Sequence, residues 1–296
     1  MLSKKKLHIK KNILIIGSTG FVGSYLCKFL KKKNFNIYQI ARSKKKIKNY
    51  FCADIADFQK LNTLIAKINI TFDVIINLTG QISNNAKEMK KNIILGNKNL
   101  IKIFKKKNIK IFYLSTVLVY GNSSNSQGEN SKTKPFTQYG KIKLKAECLY
   151  KALYKNFIIV RSANIYDEKF LKKGLLKNIF ESIKNNKVLD IKNINSSRNY
   201  IHINDFCFLI YKACLLSHIE GKEVVNFGNE NITNMQIIKI VENNNLKLKL
   251  RHLNLSMKQD LNILVNSKKI KKLYNYKPKY LLKKTIDNYI IKNEIK

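Results

Sequence analysis

Residues 13–23 read Ile13-Leu14-Ile15-Ile16-Gly17-Ser18-Thr19-Gly20-Phe21-Val22-Gly23. Four consecutive β-type apolar residues suit a strand covered on both faces, as in a parallel sheet. The run stops at a glycine, and a helical pattern, Phe21–Leu30, follows. Glycines at such a strand–helix junction permit a tight turn. They also let the backbone approach a pyrophosphate, which then lies on the helix N-terminus. A glycine triplet alone is weak evidence. Here a second strand, Asn36–Ile40, follows at the spacing of a βαβ unit. Gly17, Thr19, Gly20, Phe21, Val22 and Gly23 are therefore read as a dinucleotide-binding loop.

The same alternation continues outward. Strands are expected at Val74–Asn77, Ile109–Leu114 and Phe157–Val160, with helices at Phe58–Ile68, Ala86–Phe104 and Tyr139–Tyr154. Strand–helix alternation implies parallel pairing through right-handed crossovers. The fold class is α/β, a Rossmann-type doubly wound parallel sheet with a smaller C-terminal substrate-binding lobe. Residues 11–164 are assigned to the dinucleotide-binding domain. Residues 165–296 go mostly to the lobe, with segments around 200–228 returning to the first domain. Helices at Leu171–Asn185, Asp205–Leu216, Thr233–Val241 and Lys283–Ile291 and strands at Val188–Ile191 and Val224–Phe227 fill the second half. The polar stretch Asn122–Lys134 reads as a long loop flanking the site.

A chain of 296 residues with 45% apolar content can bury a substantial core. No apolar run approaches the roughly 20 residues that span a bilayer. The basic start, Met1–Lys11, precedes too short an apolar run for a signal peptide and has no small-residue cleavage site. A cytoplasmic protein without a membrane partner is expected. Five cysteines without a C-x-x-C pair, and four histidines without ligand spacing, indicate neither a disulfide framework nor a metal site. The formal charge of +40 suggests polyanion binding. However, the lysines are spread along the whole chain, amid much Asn and Ile. A/T-rich coding explains all three, so no specific nucleic-acid partner is assigned.

NAD-binding proteins of this architecture end the second strand with an acid that holds the adenosine ribose. This chain has Ile40-Ala41-Arg42-Ser43 there. Arg42 would attract a 2′-phosphate, which favours NADP(H) over NAD(H). Asp54, with Ile55, is placed to accept a hydrogen bond from an adenine amino group. Leu78, Thr79 and Gly80 end the Val74–Asn77 strand beneath the nicotinamide side. Tyr139 and Lys143, four residues apart, share one helix face. A phenol titrates at about 10, and lowering that to neutrality takes about 4 kcal/mol. An adjacent ammonium and a cationic cofactor act in that direction. Thr116, at the end of Leu114-Ser-Thr, is placed to hydrogen-bond the same substrate oxygen.

Together these residues resemble the extended short-chain dehydrogenase/reductases, the sugar-nucleotide epimerase/dehydratase family. The resemblance rests on Gly17/Gly20/Gly23, Asp54-Ile55, Asn92-Ile-Ile-Leu-Gly96, Leu114-Ser-Thr-x-x-Val-Tyr-Gly121 and Tyr139/Lys143. It extends to Val160-Arg-Ser-Ala-Asn-Ile-Tyr166, Arg198-Asn-Tyr-Ile-His-Ile-Asn-Asp205 and Asn226-Phe-Gly-Asn229. It implies that Thr116, Tyr139 and Lys143 are catalytic, with Tyr139 and Lys143 also meeting the cofactor. Asn92, Thr116, Asn164 and Arg198 would contact a nucleoside-diphosphate sugar, Arg198 at the diphosphate. His202 is given a structural role. The oligomeric state stays open, although the family commonly forms homodimers. Family dehydratases place an Asp-Glu pair directly after the catalytic Thr; here Val117 and Leu118 stand there. Ser162 replaces a common Pro. An NADPH-dependent 4-keto sugar-nucleotide reductase is the leading expectation. The alternatives are a 4-epimerase retaining NAD, then an inactive binding protein of the same fold.

Overall fold

The computed structural model describes residues 10–80, 85–172, 174–191, 193–217, 220–252 and 262–295. Most of the basic start, Met1–Lys11, lies outside them. Contacts divide the chain into two compact units. The first comprises Met1–Leu114, Lys145–Ile159 and Tyr211–Glu223; the second comprises Ser115–Leu144, Val160–Ile210 and Val224–Lys296. The sequence reading put the main boundary at residue 164, with segments around 200–228 returning to the first domain; Tyr211–Glu223 lies in the first unit. By contacts, Ser115–Leu144, which carries the expected catalytic residues, belongs to the second unit.

The strands are β1 Asn12–Ile16, β2 Asn36–Ala41, β3 Tyr50–Cys52, β4 Val74–Asn77 and β5 Lys110–Thr116, then β6 Ser123–Gln127 and β7 Phe157–Ser162. There follow β8 Asn164–Tyr166, β9 Val188–Ile191, β10 Ser197–His202, β11 Lys222–Phe227, β12 Glu230–Thr233, β13 Lys249–His252 and β14 Ile263–Val265. Among the described residues, one sheet runs β11-β7-β5-β4-β1-β2-β3. The ladders from β3 through β2, β1 and β4 to β5 are parallel, with Ile13 opposite both Ile37 and Val74. Ile13, Leu14 and Ile15 have no exposure at all. The apolar run Ile13–Ile16 is thus an interior strand of the sheet, between β4 and β2. Strand order reverses beside β1, and in open α/β sheets the crevice at that point receives ligands.

A smaller sheet runs β12-β10-β14-β6, with β8 also on β10, and β13 pairs with β9. β6 corrects the expected loop at 122–134. Its sequence, Ser-Ser-Asn-Ser-Gln, has no β character, and pairing with β14 decides it. A tertiary partner here overrides local propensity. The second unit's apolar core gathers Tyr166, Leu176, Ile179, Ile237, Ile238, Leu282 and Ile286.

Two features follow from composition. The chain has 11 glycines, and asparagine takes over positions of positive φ. Among the described residues, Asn34, Asn49, Asn69, Asn108, Asn186, Asn245 and Asn275 are left-handed, and Asn69 ends the helix Phe58–Ile68. Asparagine tolerates that region better than other side chains that bear a Cβ. The expected helix Ala86–Phe104 is one continuous rod, but Lys91–Leu95 winds as a π-helix between α-helical Ala86–Lys90 and Gly96–Phe104. A Cβ on Gly96 would lie 2.4 Å from Ile55 Cδ1, so glycine lets this helix sit on Ile55.

Candidate active site

The first unit carries a cavity of about 330 Å³ at the C-terminal ends of β1, β2 and β4. Its wall brings together Gly17, Thr19, Gly20, Arg42, Asp54, Ile55, Leu78, Thr79 and Gly80. Asn92, expected to touch substrate, lines the same cavity from the π-turn. Phe21, Val22 and Gly23 do not line it; they begin the helix Phe21–Lys31 behind the loop.

The three glycines have three different jobs. Gly17 has φ +84°, and its N–H donates to the Ile40 carbonyl at 2.9 Å. Gly23 is needed for packing: a Cβ there would stand 2.3 Å from the Gly17 carbonyl oxygen and 2.8 Å from Ser18 Cα. Gly20 is under neither constraint, since its Cβ would meet only Gly17 O, at 3.4 Å. The space it leaves is on the cavity wall, where a ligand's approach requires it. Ser18 Oγ is buried in this loop with no hydrogen-bond partner among the described residues. A bare-backbone cradle at a helix N-terminus fits a pyrophosphate.

The polar floor is built by residues the sequence reading passed over. Asn77, at the end of β4, accepts from Thr79 N–H at 3.1 Å and from Thr79 Oγ1 at 2.7 Å. Its amide donates to Asn97 Oδ1 at 2.8 Å. Tyr150 donates to the same oxygen at 2.7 Å, and Asn97 donates to the Ile93 carbonyl at 2.6 Å. This buried network ties the strand end carrying Thr79 to the π-turn carrying Asn92. The polar residues in otherwise apolar segments, Asn77 and Asn97, were the available signal. Asp54 caps its own turn, Oδ1 accepting from Ala56 N–H at 2.9 Å. Arg42 is largely exposed and comes within 4.0 Å of Glu88 Oε1, so its charge is partly matched.

The second unit holds Thr116, Tyr139 and Lys143. Thr116 ends β5 and accepts from Leu118 N–H at 3.3 Å, capping the 3-10 turn Val117–Val119. Tyr139 and Lys143 lie on the helix Gln138–Leu153, Lys143 being 1% exposed with Nζ 5.7 Å from the Tyr139 ring centre. Gly140 sets the approach between helix and turn. A Cβ there would fall 2.8 Å from the Leu118 carbonyl oxygen. Burial pushes the Tyr139 phenol above its ordinary range. Desolvation of the phenolate acts against the depression expected from Lys143 and a cationic cofactor. Val117 and Leu118 pack with Val119, Tyr120, Leu144, Ile263 and Val265 in an apolar cluster.

Arg161 anchors this turn from behind. Its guanidinium is buried, donating to Tyr120 Oη at 3.0 Å and to the Glu129 carbonyl at 3.1 Å. Tyr120 in turn donates to Asn226 Oδ1 at 2.7 Å, and Asn226 N–H donates to Glu129 Oε1 at 2.9 Å. Arg198 on β10 is half-buried, and Asn164 on β8 is exposed. Both belong to the second unit. His202 accepts from Asn204 N–H at 3.2 Å and stacks on Tyr280 with ring centres 4.4 Å apart. Among the described residues, no group of three or more His, Cys, Asp or Glu could hold a metal ion, and no helix is long and apolar enough to cross a membrane.

A glycine cradle at the switch point of a parallel sheet defines a dinucleotide-binding α/β fold. The chain belongs to the NAD-dependent epimerase/dehydratase family, whose model matches residues 13–228. A dTDP-D-glucose 4,6-dehydratase of Dictyostelium discoideum is 31% identical over 82% of this chain. The chain spans 64% of that relative's length. An Escherichia coli O157:H7 enzyme, the 4-epimerase of N-acetyl-alpha-D-glucosaminyl-diphospho-ditrans,octacis-undecaprenol, is 26% identical over 82% of this chain and 75% of its own. The fold is shared with the Bordetella bronchiseptica enzyme WbmG in complex with NAD. The TM-score is 0.82, with 17% identity and 98% of this chain and 97% of that one covered.

Proposed function

We propose that this enzyme inverts C4 of a sugar carried on a diphosphate, as a sugar-nucleotide 4-epimerase that retains NAD. The observation carrying this reading is the second unit's cluster. There Lys143 Nζ stands 5.7 Å from the Tyr139 ring centre and Thr116 ends β5 in the same unit, while Val117 and Leu118 pack in an apolar cluster. Dehydration needs an added acid and base, each worth roughly a hundred- to ten-thousand-fold, and neither residue ionises. Exchange at C4 needs only these three and the nicotinamide. Tyr139 takes the proton of the C4 hydroxyl and returns it to the keto oxygen. Thr116 hydrogen-bonds that oxygen. Lys143 supplies the positive charge that favours the phenolate against burial. The cofactor would supply reversible hydride acceptance at C4, and the configuration inverts when hydride returns to the opposite face of the 4-keto sugar. Gly17, Thr19, Gly20, Asp54, Thr79 and Gly80 would hold it; Asn92, Asn164 and Arg198 would hold the sugar diphosphate.

A second reading, the NADPH-dependent 4-keto reductase, is favoured by Arg42 on the cavity wall and by Ala41 where a ribose-binding acid is usual. It ranks second because Glu88 already faces Arg42 and because a relative is a 4-epimerase of a diphosphate-linked sugar. The test is absorbance of the purified protein for retained nicotinamide, then proton NMR of nucleoside-diphosphate hexoses incubated with it. C4 epimers forming without added cofactor are expected. A 4-keto-6-deoxy product would overturn the reading. Turnover of a 4-keto sugar nucleotide only with added NADPH would establish the reductase instead.

A further inference from the structure

The segment Lys268–Lys284 holds eight lysines in seventeen residues, with no arginine and no acid, against 58 Lys+Arg in 296 for the whole chain. All eight lysines are exposed. Leu273, Tyr280 and Leu281 among them are exposed by 46%, 41% and 38%. The strip is nevertheless held firmly. Ile270, Tyr274, Tyr276 and Leu282 are buried beneath it. Tyr276 donates to Asn229 Oδ1 at 2.9 Å. The N–H groups of Lys279 and Tyr280 both donate to Asp205 Oδ2 at 3.1 Å, and Leu282 N–H donates to Glu230 Oε1 at 2.9 Å. The carboxylates touching the strip therefore bond its backbone; of its ammonium groups, Lys269 Nζ donates to the Val224 carbonyl at 2.8 Å and Lys279 Nζ stands 5.9 Å from the Phe208 ring centre. Coding bias raises lysine along the whole chain; here lysine makes up eight of seventeen residues, with leucines exposed between the charges.

We propose that Lys268–Lys284 is a surface that adsorbs to anionic phospholipid bilayers. Clusters of four to eight basic residues bind acidic headgroups at about 1 kcal/mol per residue. Exposed apolar side chains between them suit the boundary between headgroups and acyl chains. A nucleic-acid surface would favour arginine, whose planar fork matches phosphate and stacks on bases; the strip has none. Adsorption requires no membrane-spanning helix. The strip starts just after β14, whose Ile263 and Val265 pack on Val117, Val119 and Tyr120. The adsorbing surface and the catalytic turn thus belong to one unit.

The test is co-sedimentation of the whole protein with phosphatidylcholine vesicles, with and without phosphatidylglycerol, at physiological ionic strength. Binding only to the anionic vesicles is expected. Lys268, Lys271, Lys272 and Lys277, all changed to Gln, should lose roughly a hundredfold or more in affinity. A control with Lys31, Lys32, Lys33 and Lys105 changed to Gln removes the same charge and should lose little. Circular dichroism checks that both variants fold. Leu273→Ser with Leu281→Ser should abolish the part of binding that survives high salt. Absence of binding to the anionic vesicles would overturn the proposal. So would equal losses in the two lysine variants, which would mean general charge. A strip-dependent preference for an oligonucleotide over vesicles at the same salt would also overturn it.

Discussion

The glycine cavity of the first unit and the Thr116–Tyr139–Lys143 cluster of the second are built in opposite ways. The cavity is mostly backbone: turns after β1 and β4 whose shape depends on glycines, with one polar network beneath. The second is made of side chains, Thr116 and Lys143 buried and Tyr139 half-buried, beside a turn anchored by Arg161, Tyr120 and Asn226 from distant parts of the chain. The first design tolerates changes to neighbouring side chains and fails when a Cβ is added. The second should behave the other way round.

The largest effect expected is on Tyr139→Phe, which deletes one hydroxyl and keeps the ring. Turnover should fall by roughly two to four orders of magnitude, measured by steady-state kinetics, with folding intact. Because burial raises the phenol's pKa, the reactive phenolate is scarce at neutral pH. The wild-type rate of proton removal should therefore climb with pH into the alkaline range. A flat profile there would break the contrast between the two sites.

Glycine substitutions sharpen it next. Gly23→Ala places a Cβ against the Gly17 and Ser18 backbone and should cost about 1–3 kcal/mol of stability, read by thermal unfolding. Gly20→Ala has room within the protein and should unfold normally, yet lose cofactor binding in a fluorescence titration. If Gly20→Ala binds as the native protein does, the cradle has been misassigned.

Arg161→Met strips two hydrogen bonds from the anchor of the catalytic turn. A loss of about 1–3 kcal/mol is expected, the penalty of leaving Tyr120 and the Glu129 carbonyl under-satisfied. Denaturant titration would measure it, and cofactor affinity should be unaffected.

The smallest effects concern exposed or inert groups. Arg42→Ala should narrow any preference for NADPH over NADH by no more than about fivefold at fixed salt, since Arg42 is largely exposed and already faces Glu88. A thiol reagent should label Cys52 and Cys148 and spare Cys27, Cys207 and Cys214 until unfolding. Burial pushes Cys27 up to about 11 and Cys214 up to about 12. Both stay protonated when folded and ionise more readily when unfolded. Their contribution to stability is complete below the ordinary thiol range and is lost as pH rises through these values.

Residues 13–23 showed a buried strand, the glycine loop and a helix start, and the apolar runs after them showed the parallel alternation. Those features depend on nearest neighbours along the chain: an apolar run, a turn without side chains, a helix start. The spacing of Tyr139 and Lys143 was equally legible, being one turn of helix. The tertiary structure alone decided the rest. β6 is a strand because β14 pairs with it, although its own residues are Ser, Asn and Gln. The π-turn aims Asn92 into the cavity because Asn97 bonds Ile93 and Gly96 rests on Ile55. Ser115–Leu144 joins the second unit through packing with residues more than a hundred positions away. Burial and partnership across such separations depend on the whole fold, so no local pattern records them. For the same reason the phenol of Tyr139, whose lysine neighbour was plain in the sequence, is governed by desolvation that only the packed structure reveals.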